Sequence, residues 1–286
     1  MWTDLIKLTP LVIFGKKRSA AAVYDLLSTR YRLGDNSLYM NLGYWDGART
    51  YDEAAQALTD ELGKVAGLAP GQRIVDVGFG FGDQDMRWTQ KFGVDIVGLN
   101  ISREHVEHAR RRVEERGLAG RIDLRFGTAT AMPLPNSACD RVLALECAFH
   151  FVTRADFFAE AFRVLVPGGR LALTDLIRRG TSLSMLSRLY AEIAMSLFQA
   201  PAENFYSWDV YQQHLRSAGF ENIQMRSVRE QVLPPFRKYL RKRLDDEAAT
   251  RGMNPLLRRS IRWCMRAETP IDPYDYILVT ADKPVK

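Results

Sequence analysis

Val75-Asp76-Val77-Gly78-Phe79-Gly80-Phe81-Gly82 is the stretch whose reading decides the fold. Apolar Ile74-Val75 leads into it and polar Asp83-Gln84-Asp85 leads out. A buried strand that ends in alternating glycines lets backbone come close to something lying across its C-terminal edge, where side chains would stand in the way. The spacing separates two ligand classes. A nicotinamide site wants G-x-G-x-x-G. Its third glycine would fall at Asp83, whereas the third glycine here comes one residue earlier. Asp76, two residues before the first glycine, is out of place for a pyrophosphate binder and suits a ligand with a positive charge or an amine nearby.

Outward from this loop, helix and strand signals alternate. Residues 83–92 read as a helix and 94–99 as a short buried strand. Ser102 caps a helix with Glu104 early and Arg110, Arg111 and Arg112 late, in accord with the macrodipole. Strands follow at 122–126 and 140–145, then a helix over 155–165, then Pro167-Gly168-Gly169 as a tight turn into a strand over 170–174. Such alternation implies an α/β fold, a Rossmann-like, seven-stranded, mostly parallel sheet with helices on both faces. Two segments depart from it. Residues 182–217 hold two helical stretches, 182–198 and 208–218. Residues 235–267 form an Arg-rich helical insert between strands near 221–232 and 274–281. With the first 45 residues, these are expected to build a helical lid over the strand ends. The chain then divides into a cap at 1–45, a core at 46–181, and lid insertions plus the last two strands at 182–286.

Composition narrows the function classes. The chain has 286 residues, 47% hydrophobic and 26% charged, which fits a globular protein. No apolar run approaches the roughly 18 residues that span a bilayer. Leu11-Val12-Ile13-Phe14 is too short for a signal segment, and Lys16-Lys17-Arg18 follows it instead of preceding it. Cys139, Cys147 and Cys264 show neither metal-ligand nor disulfide spacing, so no metal and a cytoplasmic location are expected. The net charge of +6 is uneven. Residues 237–266 hold ten Lys/Arg against three Asp/Glu, which leaves the rest of the chain near −1. This insert reads as a solvated helical face, as a site for an anionic acceptor or anionic membrane surface, or as a nucleic-acid contact. No Asn-Pro-Pro-Tyr-like string and no RNA-binding module support the last. Leu256, Leu257, Trp263 and Met265 among the arginines leave peripheral membrane contact open.

The D-x-G-x-G-x-G string resembles motif I of the class I S-adenosylmethionine-dependent methyltransferases. In that family the glycine loop packs on the cofactor, and the acidic residue lies near its methionine portion. The resemblance implies S-adenosylmethionine as cofactor, held by Asp76, Gly78, Gly80 and Gly82. It continues at Leu99-Asn100-Ile101, 24 residues beyond Asp76, where ribose hydroxyls are expected; Asn100 replaces the family's usual carboxylate. Gly127-Thr128-Ala129 is similar to the segment that borders adenine, with Thr128 in place of Asp. Residues 140–175, with Arg163-Val164-Leu165-Val166-Pro167-Gly168-Gly169, resemble the small-molecule branch of natural-product O-methyltransferases and, more distantly, quinone, sterol and cyclopropane-fatty-acid enzymes. Tyr39-Met40-Asn41-Leu42-Gly43-Tyr44-Trp45 resembles the segment that folds over the methionyl end. There Asn41 is expected to contact the cofactor, and Tyr44 and Trp45 to cover the sulfonium.

Glu146, His150 and Asp175 are the candidate catalytic residues. A glutamate and a histidine at the end of a central strand are poor core residues unless satisfied. Adjacent strand ends are expected to put His150 and Asp175 on one rim. A neutral imidazole, ordinarily near pKa ~6.5, suits removal of a hydroxyl proton, with a carboxylate to orient it or to hold the acceptor. Many members of this branch carry two adjacent histidines here, whereas this chain has Phe149-His150. The expected activity is methyl transfer to a small, hydrophobic biosynthetic intermediate at a hydroxyl oxygen. Two alternatives stay open. One is C-methylation of an isoprenoid, diphosphate-bearing or not, a quinone or a lipid. The other is a cofactor-binding regulator without turnover. The expected state is a monomer or homodimer.

Overall fold

A computed structural model describes residues 33–179, 200–204, 206–247, 249–250, 255, 258–259, 262 and 274–285. The expected helix at 182–198 and Leu256, Leu257, Trp263 and Met265 lie outside the described residues. One seven-stranded sheet runs β3-β2-β1-β4-β5-β7-β6. Its strands are β1 Arg73–Val77, β2 Asp95–Asn100, β3 Ile122–Phe126, β4 Cys139–Leu145, β5 Leu165–Arg178, β6 Glu221–Ser227 and β7 Tyr274–Asp282. The five strands from β3 to β5 are mutually parallel, and β7 is antiparallel to both neighbours. The helices are α1 Tyr51–Val65, α2 Asp83–Phe92, α3 Arg103–Glu115, α4 Arg154–Val164, α5 Trp208–Ser217 and α6 Arg229–Asp245.

Alternation along each strand builds two cores. Val75, Val142, Leu173 and Val279 face α4 and α5, meeting Phe157, Phe158, Tyr211 and Leu215. Ile74, Leu143, Ala172 and Leu278 face the opposite way, meeting Leu58 and Leu62 of α1 and Val232 and Leu233 of α6. Caps fix the helix starts. Ser102 accepts from the His105 N–H, and Thr50 and Thr153 each close a capping box.

Three sequence expectations change. Pro167-Gly168-Gly169 is not a turn into a new strand. It is an irregularity within β5, because the partners of β4 step from Cys139↔Leu165 to Arg141↔Arg170 across it. β6 ends at Ser227, not near 232. Val228, Val232, Leu233 and Phe236 are buried at helical spacing, and α6 begins at Arg229. The helix at 208–217 is no lid element, since Tyr211 and Leu215 bury it in the sheet's own core. Among the described residues no helix is long and apolar enough to cross a membrane. On α6, Lys238, Arg241 and Lys242 are exposed, a solvated basic face.

Candidate active site

A cavity opens at the C-terminal ends of β1, β2, β3 and β4, the edge where ligands enter such sheets. Its floor is the glycine loop. Gly78 has φ +77°, and a Cβ there would stand 2.8 Å from the Cβ and Sγ of Cys147. At Gly80, with φ +56°, a Cβ would meet the Met40 sulfur at 3.3 Å. Gly78 needs glycine for conformation and for space, and Gly80 for conformation. Gly78 and Gly80 line the cavity, whereas Gly82 lies behind them as the left-handed N-cap of α2, against Ala109.

Asn100 and Ile101 line the next wall. The Asn100 side-chain oxygen accepts the Ser102 N–H at 3.0 Å, which turns its amide nitrogen into the group left for a ligand oxygen. Thr128 and Ala129 follow, with Thr128 bridged to Thr130 by their hydroxyls at 3.1 Å. The opposite wall comes from the strap before α1, through Leu38, Met40 and Asn41. Asn41 ties the strap to α1: its oxygen accepts the Gly43 N–H at 3.0 Å and its amide donates to the Ala55 carbonyl at 3.3 Å. The sequence reading missed Met40, Phe81, Gln84 and His105, whose ring packs on Phe81 at 4.4 Å between centroids.

Four expected site residues point elsewhere. Tyr44 packs on the α1/α6 core, and Trp45 lies tilted against Tyr239 with ring centroids 5.2 Å apart, so neither faces the cavity. Asp76 is fully buried on the α1/α2 face of β1. There it accepts from Gln84 Nε2 at 3.1 Å and faces Asp85 of α2. Asp175 lies inside β5, which runs on to Arg178, and its side chain falls on the α4/α5 face with Leu173 and Ile177. Its oxygens are taken by Arg154 at 2.8 and 3.0 Å, the Tyr211 hydroxyl at 2.9 Å and the Leu176 N–H at 2.8 Å.

Glu146 and His150 do line the cavity. Glu146 follows β4 with φ +54°, a conformation that a non-glycine residue adopts only when its surroundings impose it. Its N–H donates to the Thr174 hydroxyl at 3.0 Å. Its Oε2 accepts from the Leu42 N–H at 2.9 Å and the Tyr276 hydroxyl at 2.7 Å. Burial nevertheless raises its pKa to about 8. His150 ends the single 3-10 turn Ala148–His150, with its ring 4.0 Å from that of Phe149. Among the described residues no Lys or Arg lines the cavity, and no cluster of three metal-ligating side chains occurs.

Asp76 and Asp85 make a buried carboxyl pair beneath this floor. Burial raises both, Asp76 to about 7, and each oxygen pair opposes another acceptor unless one proton is shared. The folded pKa of Asp76 stands above its unfolded value. Its contribution to stability is therefore complete below about pH 4 and lost as pH rises through about 7. Asp76→Asn keeps an acceptor for Gln84 and turns a donor toward Asp85. At pH 8 its urea midpoint is expected to exceed the unsubstituted protein's by the equivalent of about 1–3 kcal/mol, and at pH 5 the two should nearly coincide. A variant that is less stable at pH 8 refutes the shared-proton pair.

Residues 16–250 match the mycolic acid cyclopropane synthetase family. The chain is 32% identical to erythromycin 3''-O-methyltransferase of Saccharopolyspora erythraea over 275 residues, covering 93% of this chain and 90% of that protein. It is 33% identical to 27-O-demethylrifamycin SV methyltransferase of Amycolatopsis mediterranei, covering 82% of each. Among solved structures, a mycolic acid cyclopropane synthase complexed with SAH and CTAB superposes with a TM-score of 0.80 at 21% identity, covering 92% of this chain and 97% of that one.

Proposed function

We propose, for a chain that belongs to the mycolic acid cyclopropane synthetase family and is an S-adenosylmethionine-dependent methyltransferase of small molecules, that the methyl group goes to a hydroxyl oxygen. The cavity fits the cofactor. Gly78 and Gly80 leave the backbone bare for close approach, Asn100 offers an amide to the ribose, and Ile101, Thr128 and Ala129 border room for the adenine. When bound, S-adenosylmethionine supplies a methyl group on a cationic sulfur. Everything else falls to side chains. The strap residues Leu38 and Met40 exclude water from that end of the cavity. Alignment of acceptor and methyl donor in one dry cavity supplies much of the rate. His150 takes the hydroxyl proton as the new bond forms.

The observation that carries this reading is His150 in the cavity wall on the same rim as the glycine loop. The cavity walls, with Glu146 and Asp83 but no described Lys or Arg, favour a neutral acceptor over a diphosphate-bearing one. Relatives named for methylating a macrolide and a rifamycin supply the acceptor class, a hydroxylated, largely apolar natural product. The strap residues Leu38, Met40 and Asn41, which line the cavity, would help to select it. The enzyme would act in the cytoplasm as a monomer or homodimer, with the basic face of α6 available to an anionic membrane surface.

The test is a reaction with S-adenosyl-L-[methyl-13C]methionine and a panel holding 27-O-demethylrifamycin SV and a macrolide with a free 3''-hydroxyl. A methoxy carbon signal with matching S-adenosylhomocysteine release is expected. A carbon-bound methyl signal, or no release from any hydroxylated acceptor, sinks the assignment.

A further inference from the structure

Asn204 is 2% exposed, in the 3-10 turn Ala202–Asn204. Its side-chain amide donates to the backbone carbonyls of Phe149 at 3.1 Å and Phe151 at 2.6 Å, the two carbonyls that flank His150. Its side-chain oxygen accepts the Arg154 N–H at 3.0 Å. Its own carbonyl accepts from the Arg154 guanidinium, which is ion-paired with Asp175 at 2.8 Å. These bonds need two donors and one acceptor in a fixed plane, which a carboxamide provides. An aspartate would set oxygen against two carbonyls, and an apolar residue would leave all three partners unmet.

The turn that carries His150 is short. It is closed by the His150 N–H to Cys147 at 3.0 Å and the Phe151 N–H to Ala148 at 3.1 Å. A single 3-10 turn has no ladder beyond it to hold its shape. We infer that Asn204 is the positioning residue that fixes the His150 imidazole at the cavity wall, and that Arg154 and Asp175 influence the reaction through it. This rests on reading His150 as the proton acceptor. It gives Asp175 an orienting role through two intermediaries: the carboxylate holds Arg154, Arg154 holds Asn204, and Asn204 holds the turn.

The experiment is imidazole 15N spectroscopy of the S-adenosylhomocysteine complexes of Asn204→Ala and Asn204→Ser. The chain has four histidines, His105, His108, His150 and His214, and His150→Ala assigns the signal of interest. In Asn204→Ala the His150 signals should shift and broaden while the other three stay in place. Asn204→Ser, with a shorter donor, should fall between. In Asn204→Ala kcat should drop about 100-fold, as expected for a displaced catalytic group, with unchanged affinity for S-adenosylhomocysteine. An unmoved His150 signal overturns the inference whatever kcat does, and a moved signal with full kcat overturns it equally. Should Asn204→Ala fail to bind S-adenosylhomocysteine, Asn204→Ser is judged by the same two criteria. Failure of the proton-acceptor reading is seen separately, as full kcat in His150→Ala with Asn204 untouched.

Discussion

Asp175→Ala lowers the unfolding free energy by about 3–5 kcal/mol, the usual effect of removing one partner from a buried ion pair. The Arg154 and Asp175 side chains are 1% and 0% exposed. Without the carboxylate, a guanidinium stays in a site closed to water, and the Tyr211 hydroxyl and the Leu176 N–H lose their acceptor. The Tyr206 and Tyr211 rings lie 5.2 and 5.6 Å from the Arg154 charge. They cannot stand in for the missing anion, since such contacts contribute only about 0.5–2 kcal/mol. Removing both charges is gentler. Arg154→Met with Asp175→Leu should recover most of the loss, because a buried pair replaced by apolar groups of similar volume is often near neutral. Urea titration decides it: the midpoint falls sharply in the single variant at constant slope. A shift worth under about 1 kcal/mol would mean that water reaches Arg154.

His150→Ala lowers kcat by about 10²–10⁴-fold, the range for losing a positioned general base. Affinity for S-adenosylhomocysteine should change little, because the imidazole serves the acceptor's proton and not the nucleotide. Glu146 is the competitor. With its pKa raised to about 8 by burial, it carries a proton at neutral pH until a cation enters the cavity and favours its ionised form. Glu146→Gln keeps an acceptor for the Leu42 N–H and the Tyr276 hydroxyl, so the strap should stay closed and kcat should fall less than in His150→Ala. The reverse order of effects would move the chemistry to Glu146 and favour methylation at carbon.

The octapeptide at Val75–Gly82 made the first strand and the cavity floor legible, because alternating glycines have few other uses at a strand end. Alternation and capping residues did the same for α2, β3 and α3, whose signals are local. The misreadings have a common cause in contacts that no local pattern carries. Thr174-Asp175 reads as a strand end, but β5 continues because β7 pairs with it to Arg178↔Tyr274. Tyr44 and Trp45 look equally suited to cover a cation or to pack on helices, and the positions of α1 and α6 decide for packing. Asp76 was legible as a special carboxylate, but the face it takes depends on strand phase, which places it against α2. Asn204 left no signal, since its partners lie 50 to 55 positions away in the chain.

The strap that closes the cavity is held by the far end of the chain. Glu146 reaches it at Leu42 while bonded to Tyr276, the Trp45 N–H donates to the Gln231 carbonyl at 2.9 Å, and Arg243 meets Asp35 at 2.9 Å. During synthesis, then, the strap can dock on α1 as soon as that helix forms, through the Tyr44 N–H to the Ala54 carbonyl and the Tyr51 hydroxyl to the carbonyls of Tyr39 and Asn41, but its second set of supports waits until α6 and β7 have left the ribosome. Contacts of such sequence separation form late. An interrupted product that ends before residue 274 would keep the glycine loop and the α1 side of the strap but lack the Tyr276 hydroxyl on Glu146, so the wall between strap and β4 would be the part left incomplete.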